Sequence, residues 1–102
     1  MTKDMHRYTF ARDVPPEEIE ASLLLAILAT ESLHGEAQVR LDAGHVYDPA
    51  KRACVIDANT PVGRDFNLIF VGFVRREFGE DAFHVERVNE LSQHQQPQEA
   101  QT

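Results

Sequence analysis

The histidines and the single cysteine are the residues of this sequence that could bind a metal ion. The chain holds five histidines and one cysteine, Cys54. Their spacing matches no zinc signature. Glu31 and His34 form one Glu-x-x-His pair, whereas a carboxylate-bridged di-iron centre needs two such pairs and further acidic ligands on four helices. The sequence therefore predicts no metal site and no cofactor, and it favours His34 as a cation that complements the C-terminal end of a helix.

Cys54 is also the candidate nucleophile. It lies between Ala53 and Val55 in an apolar segment, where a cysteine usually acts as a small buried hydrophobic residue. A reactive thiol would need exposure and a lowered pKa, and no neighbouring residue in the sequence supplies either. The sequence also lacks the Gly-x-Ser-x-Gly elbow of serine hydrolases. These observations favour a protein that is not an enzyme.

Thr60, Gly63 and Arg64 stand at the start of a predicted helix. Free N–H groups, a glycine and an arginine at such a start could hold an anion such as phosphate. The same residues also fit a capped helix start in which Gly63 allows close packing and Arg64 lies in solvent. There is no Walker A motif and no Gly-x-Gly-x-x-Gly motif. A small enzyme or anion-binding protein that uses residues 59–64 therefore stays open as an alternative function.

Hydrophobic periodicity and turn residues predict four strands and two helices. The strands are expected at 6–12, 38–43, 53–58 and 81–88, and the second of them could continue to 47. The helices are expected to begin near 13–18 and at 60–61, and to end near 34 and 78. The order β-α-β-β-α-β is that of the ferredoxin-like motif, with both helices on one face of a four-stranded antiparallel sheet. The sequence thus predicts an α+β domain, and this fold hosts many unrelated functions.

Length and composition set the limits of this interpretation. The chain of 102 residues has the size of one domain, which is expected over 1–88, and the glutamine-rich segment 89–102 is expected to be a disordered tail. Ten basic against seventeen acidic residues give a net charge of -7, which argues against non-specific binding to nucleic acid or anionic lipid. One cysteine and the lack of a long apolar run predict a cytoplasmic protein without a membrane span.

The first helix has more apolar residues than one buried face needs. At 100° per residue, one stripe is expected to face the sheet: Ile19, Leu23, Ala26, Ile27, Thr30 and Leu33. Nearly opposite lies a second stripe: Ala21, Leu24, Leu25 and Leu28. The second helix adds an outward line: Arg64, Leu68, Val71 and Arg75. Neighbouring residues could cover these side chains, but the pattern favours an interface, with a homodimer as the simplest form and a different protein as the alternative partner. The interface residues would be Leu24, Leu25, Leu28, Leu68 and Val71.

RNA binding through the open face of the sheet is the other alternative. Sheets of this layout bind RNA through exposed aromatic side chains. The residues expected to face outward are polar, and none is aromatic: Arg7, Thr9, Gln38, Arg40, His84 and Glu86. Tyr8 and Phe10 are expected on the core side of the first strand. Nucleic-acid binding would gain support only if these two aromatic residues were exposed.

Overall fold

A computed structural model describes residues 4–88 of the chain. These residues form seven helices and strands in the following order: β1 (Met5–Phe10), α1 (Pro16–His34), α2 (Glu36–Asp42), β2 (His45–Asp48), β3 (Ala53–Asp57), α3 (Pro61–Phe78) and β4 (Phe83–Val88). Two single 3₁₀ turns, Pro49–Lys51 and Glu80–Ala82, precede β3 and β4. The protein is thus an α+β protein, as the sequence predicts. Residues 1–3 and the predicted tail 89–102 lie outside the described residues.

The four strands form one antiparallel sheet in the order β2-β3-β1-β4. Tyr8 of β1 lies opposite Cys54 of β3 and Val85 of β4, which fixes the register on both sides of the central strand. Tyr47 of β2 also lies opposite Cys54. The thiol therefore has tyrosines rather than histidines as its cross-strand neighbours.

The prediction of a strand at 38–43 is wrong, because this segment is the helix α2. Val39, Leu41 and Ala43 alternate as in a strand, but Val39 and Ala43 are also four residues apart and so share one face of a helix. In the structure these two residues are buried, while Leu41 is 79% exposed. An ion pair from Arg40 to Glu36 joins neighbouring turns of the helix. Residues 4–88 accordingly form three α-helices rather than the expected two.

The second strand instead begins at His45 and ends at Asp48, directly before the 3₁₀ turn Pro49–Lys51. Asp48 caps that turn, since its carboxylate accepts hydrogen bonds from the N–H groups of Ala50 and Lys51. Arg52 closes it with φ 49°, a left-handed conformation that is uncommon outside glycine. Tyr47 anchors the strand to the start of α1, because its hydroxyl donates to the Pro16 carbonyl at 2.7 Å.

The two long helices begin and end close to the predicted positions. Proline occupies the first helical position of both, where the missing N–H costs nothing. Gly35 and Gly79 follow their last residues with φ 89° and 88°, a backbone conformation that side chains other than glycine rarely adopt. These signals are local in sequence, and for that reason they could be predicted.

The hydrophobic core lies between one face of the sheet and the helices. Tyr8 and Phe10 are buried in it, and the Tyr8 ring meets the Phe70 ring of α3 edge-on with centroids 4.9 Å apart. The Tyr8 hydroxyl donates to Asn67 Oδ1 at 2.6 Å, so its polar end is satisfied. Burial raises the pKa of the Cys54 thiol well above its usual range, which makes it unreactive in the folded chain. Cys54 is therefore a core residue.

Candidate functional site

The inward stripe of α1 packs on the sheet as the sequence predicts, with one exception. Its buried residues include Ile19, Leu23, Ala26 and Thr30, and the Thr30 hydroxyl donates to the Ala26 carbonyl one turn earlier. Leu33, which was expected to face inward, is exposed in the last turn of the helix. Because the other residues of the stripe face the sheet, the opposite side of α1 faces away from it.

Three leucines occupy that outer side and form what we term the leucine face: Leu24, Leu25 and Leu28. Their side chains are 56%, 56% and 49% exposed. About half of each side chain thus stays open to solvent in the folded chain. Scattered exposed leucines are normal in proteins, but a group on one helix face forms a patch of the kind found at interaction sites.

The outward side of α3 carries a weaker apolar component. Leu68 is 65% exposed, whereas Val71 is half-buried and packs against the core. Arg64 and Arg75 are exposed on the same side, and Arg75 Nε lies 3.1 Å from Glu80 Oε2. Of the two apolar residues predicted here, Leu68 is thus the one that offers surface to a partner.

Gly72 lies in the middle of α3 beside this line. A Cβ atom at that position would have no heavy atom of the described chain within 4 Å, apart from the local helix. Glycine in a helix interior costs about 1 kcal/mol relative to alanine. The fold of residues 4–88 gives no steric reason for this cost, and the absence of a side chain leaves the helix backbone open to close approach.

Charges of opposite sign flank the apolar residues of the two helices. The first turn of α1 presents Glu17 and Glu18, which are favourable at the positive end of the helix dipole. The last turn of α3 presents Arg75 and Arg76, which are favourable at the negative end. The outer side of the helices therefore combines an acidic end, an apolar centre and a basic line.

The start of α3 is a tightly packed helix cap. The Thr60 hydroxyl accepts a hydrogen bond from the Gly63 N–H at 2.9 Å and donates to the Asp42 carbonyl at 2.7 Å. A Cβ atom on Gly63 would lie 2.2 Å from the Asp57 carbonyl oxygen, so only glycine fits. Arg64 is exposed. These contacts give Thr60 and Gly63 structural roles, and they bring carbonyl oxygens rather than further cations to the proposed anion site.

The sheet face opposite the helices carries polar side chains on β1 and β4 beside the buried Val55 of β3. Arg7 donates to the Glu86 carboxylate across the β1–β4 pair, with Nη2 and Oε2 2.7 Å apart. Thr9 and His84 are neighbours in the same register. The prediction that Gln38 and Arg40 lie on this face is wrong, because both belong to α2. Tyr8 and Phe10 are buried on the helix side, so β1 presents no aromatic platform for RNA bases.

Residues 4–88 contain no group of three or more histidine, cysteine or acidic side chains placed to hold a metal ion. His34 lies at the C-terminal end of α1, where its Nε2 is 2.7 Å from Asp65 Oδ2 of α3. Within the same part of the chain, the helices are too short or too polar to cross a membrane.

We found no protein-family model that matches the chain, and no significantly similar curated protein or solved structure.

Proposed function

We propose that this protein is a non-enzymatic assembly module that forms a homodimer through the outer sides of α1 and α3. The observation that carries the proposal is the leucine face, three neighbouring leucines that are each about half exposed. A buried leucine gains roughly 1.5–3 kcal/mol over an exposed one, so covering these half-exposed side chains would contribute about 1 kcal/mol each.

The leucines need further contacts to hold two chains together. Association costs on the order of 4–15 kcal/mol in lost freedom of motion, which exceeds what three half-exposed leucines supply. Leu68 and the stems of the exposed arginines on α3 would extend the covered area. Stable interfaces bury about 800 Å² per partner, so the contact would have to span both helices.

A second copy of the chain is the partner that best fits this surface. A two-fold interface requires a surface that is complementary to itself. The acidic first turn of α1 and the basic line of α3 provide both signs of charge on the same side of the molecule. Gly72 would also allow the backbone of a partner helix to approach closely.

The test is a charge introduced into the leucine face. Leu28→Glu should shift the sedimentation coefficient to that of a monomer. Its circular dichroism spectrum should stay close to that of wild type, and so should its unfolding midpoint at concentrations where wild type is monomeric. Leu41→Glu is the matched control, because Leu41 is exposed on a different helix. The proposal fails if wild-type protein sediments as a monomer at all concentrations, or if Leu28→Glu stays dimeric.

We further propose a ferredoxin-like assignment for the fold. In support, β3 lies between β1 and β2, and β1 lies between β3 and β4, so that each β-α-β unit is split by a strand of the other. The helix α2 is an addition to that plan.

The proposal also includes a cytoplasmic location, which the single free cysteine supports.

A further inference from the structure

A cleft of about 380 Å³ lies between α1, α2 and the start of β2. Its apolar lining comes from Ile27, Val39 and Ala43, of which the last two are buried. Glu31, Arg40 and His45 supply its polar groups. The volume falls at the lower end of the range of small-molecule sites, which are mostly apolar with a few convergent polar side chains.

The polar groups of this cleft differ in whether their charge is already balanced. The Arg40 guanidinium donates to the Glu36 carboxylate, so its positive charge has a partner. Glu31 is half-buried and forms no ion pair within residues 4–88. Its carboxylate is therefore the unbalanced charge beside the apolar lining.

His45 lines the same cleft as Glu31, and packing on another ring holds it in place. Its ring meets the buried Phe66 ring edge-on, with centroids 5.4 Å apart. A neutral imidazole can accept a hydrogen bond from an N–H group through one of its ring nitrogens. The cleft thus offers two acceptors, the Glu31 carboxylate and the His45 ring, over an apolar surface.

We propose that this cleft binds a small organic cation, namely a protonated amine on a compact apolar body. The ammonium group would pair with the Glu31 carboxylate, and the apolar body would cover Ile27 and Val39. The net charge of -7 on the chain favours a cation over an anion as well. This proposal does not depend on the dimer.

Three probes of the same shape and different charge separate the alternatives. Cyclohexylammonium, cyclohexanol and cyclohexanecarboxylate would each be titrated into the labelled full chain and followed by NMR. We expect cyclohexylammonium to shift the amide signals of Ala43 and Gly44 and the methyl signals of Ile27 and Val39, with the weakest response from the carboxylate. Equal responses to all three probes, a stronger response to the carboxylate, or no response at these positions would overturn the proposal.

A pair of glutamate variants tests the role of the charge. Glu31→Gln should weaken cyclohexylammonium binding by roughly three- to tenfold, as expected for loss of a partly buried charged partner. Glu77→Gln is the matched control, because Glu77 is exposed on α3 and belongs neither to the cleft lining nor to the residues proposed for the dimer. Circular dichroism would confirm that both variants fold. Equal weakening in the two variants would show general charge attraction and would contradict a site at Glu31.

Discussion

Arg7 and Glu86 form an ion pair between residues 79 positions apart, and it joins the first strand to the last. The hydrogen bond from Arg7 lowers the pKa of the Glu86 carboxyl below its ordinary value. Burial opposes this effect in part, and the charges of Arg7 and His84 lower the pKa further. A carboxyl group whose pKa is lower in the folded state stabilises that state most when it is ionised.

This ion pair predicts a pH-dependent contribution to stability. The contribution should be complete above the unfolded pKa of about 4.3 and should vanish as the pH falls through the lower folded value. Because the Glu86 side chain is 44% exposed, Glu86→Gln should destabilise the protein by less than about 1 kcal/mol at neutral pH. Urea unfolding of wild type and variant at neutral and acidic pH measures the difference. A gap of the same size at both pH values would contradict the assignment.

Single residues differ in how far the sequence reveals their contacts. Thr60 as a helix cap and Gly79 as a helix end could be predicted, because their partners lie within four residues. For Gly63 the sequence could indicate close packing but not the neighbour. That neighbour is the Asp57 carbonyl oxygen, which belongs to β3 and leaves no room for a side chain. The Arg7–Glu86 pair was out of reach because its partners are 79 positions apart.

Replacing glycine by alanine is expected to have opposite effects on stability at two positions of α3. Gly72→Ala should raise the free energy of unfolding of the monomer by about 1 kcal/mol, because alanine favours helix and the described chain leaves space for its Cβ. Gly63→Ala should lower it by roughly 1–3 kcal/mol or more, because the Cβ would overlap the Asp57 carbonyl oxygen. Urea titrations under monomeric conditions measure both.

The Gly72→Ala variant also tests the proposed dimer interface. If a partner helix packs against Gly72, then Gly72→Ala should weaken the dimer even though it stabilises the monomer. Sedimentation of the variant next to wild type separates the two effects. A more stable variant with unchanged self-association would place Gly72 outside the interface.

The helix α2 shows why one element was predicted with the wrong structure. Val39, Leu41 and Ala43 fit a period of two, while Val39 and Ala43 alone also fit one helix face. The choice depends on which of the three is buried, and that depends on the contacts of α2 with other helices. The cleft could not be predicted for the same reason, because Val39, Arg40 and Ala43 line it only when 36–42 is helical.

A dimer that buries the leucine face should make thermal stability depend on protein concentration. Association with the folded state only raises the Tm by mass action. We expect the Tm of wild type to rise across about a hundredfold range of concentration, and that of Leu28→Glu to stay constant. Leu41→Glu should behave as wild type. Differential scanning fluorimetry measures this, and a wild-type Tm that does not change with concentration would argue against the dimer.

The fold class and the buried face of each long helix could be predicted, because both follow from the periodicity of apolar residues along the chain. The buried positions of α1 and the exposure of Leu24, Leu25 and Leu28 agree with a wheel drawn from the sequence. Leu33 did not follow the wheel, since it lies in the last turn of α1. Function is harder to infer, because any partner of the exposed side chains would be a separate molecule.

The position of β4 has a consequence for aggregation. This strand forms one edge of the sheet, and within residues 4–88 its outer side has no strand partner. Unpaired edges invite further strands to add, and proteins guard against this with charged side chains. His84, Glu86 and Arg87 are exposed along β4, so a strand added there would have to desolvate three ionisable groups. The charged side chains thereby make this edge a poor surface for the fibril-like addition of a further strand.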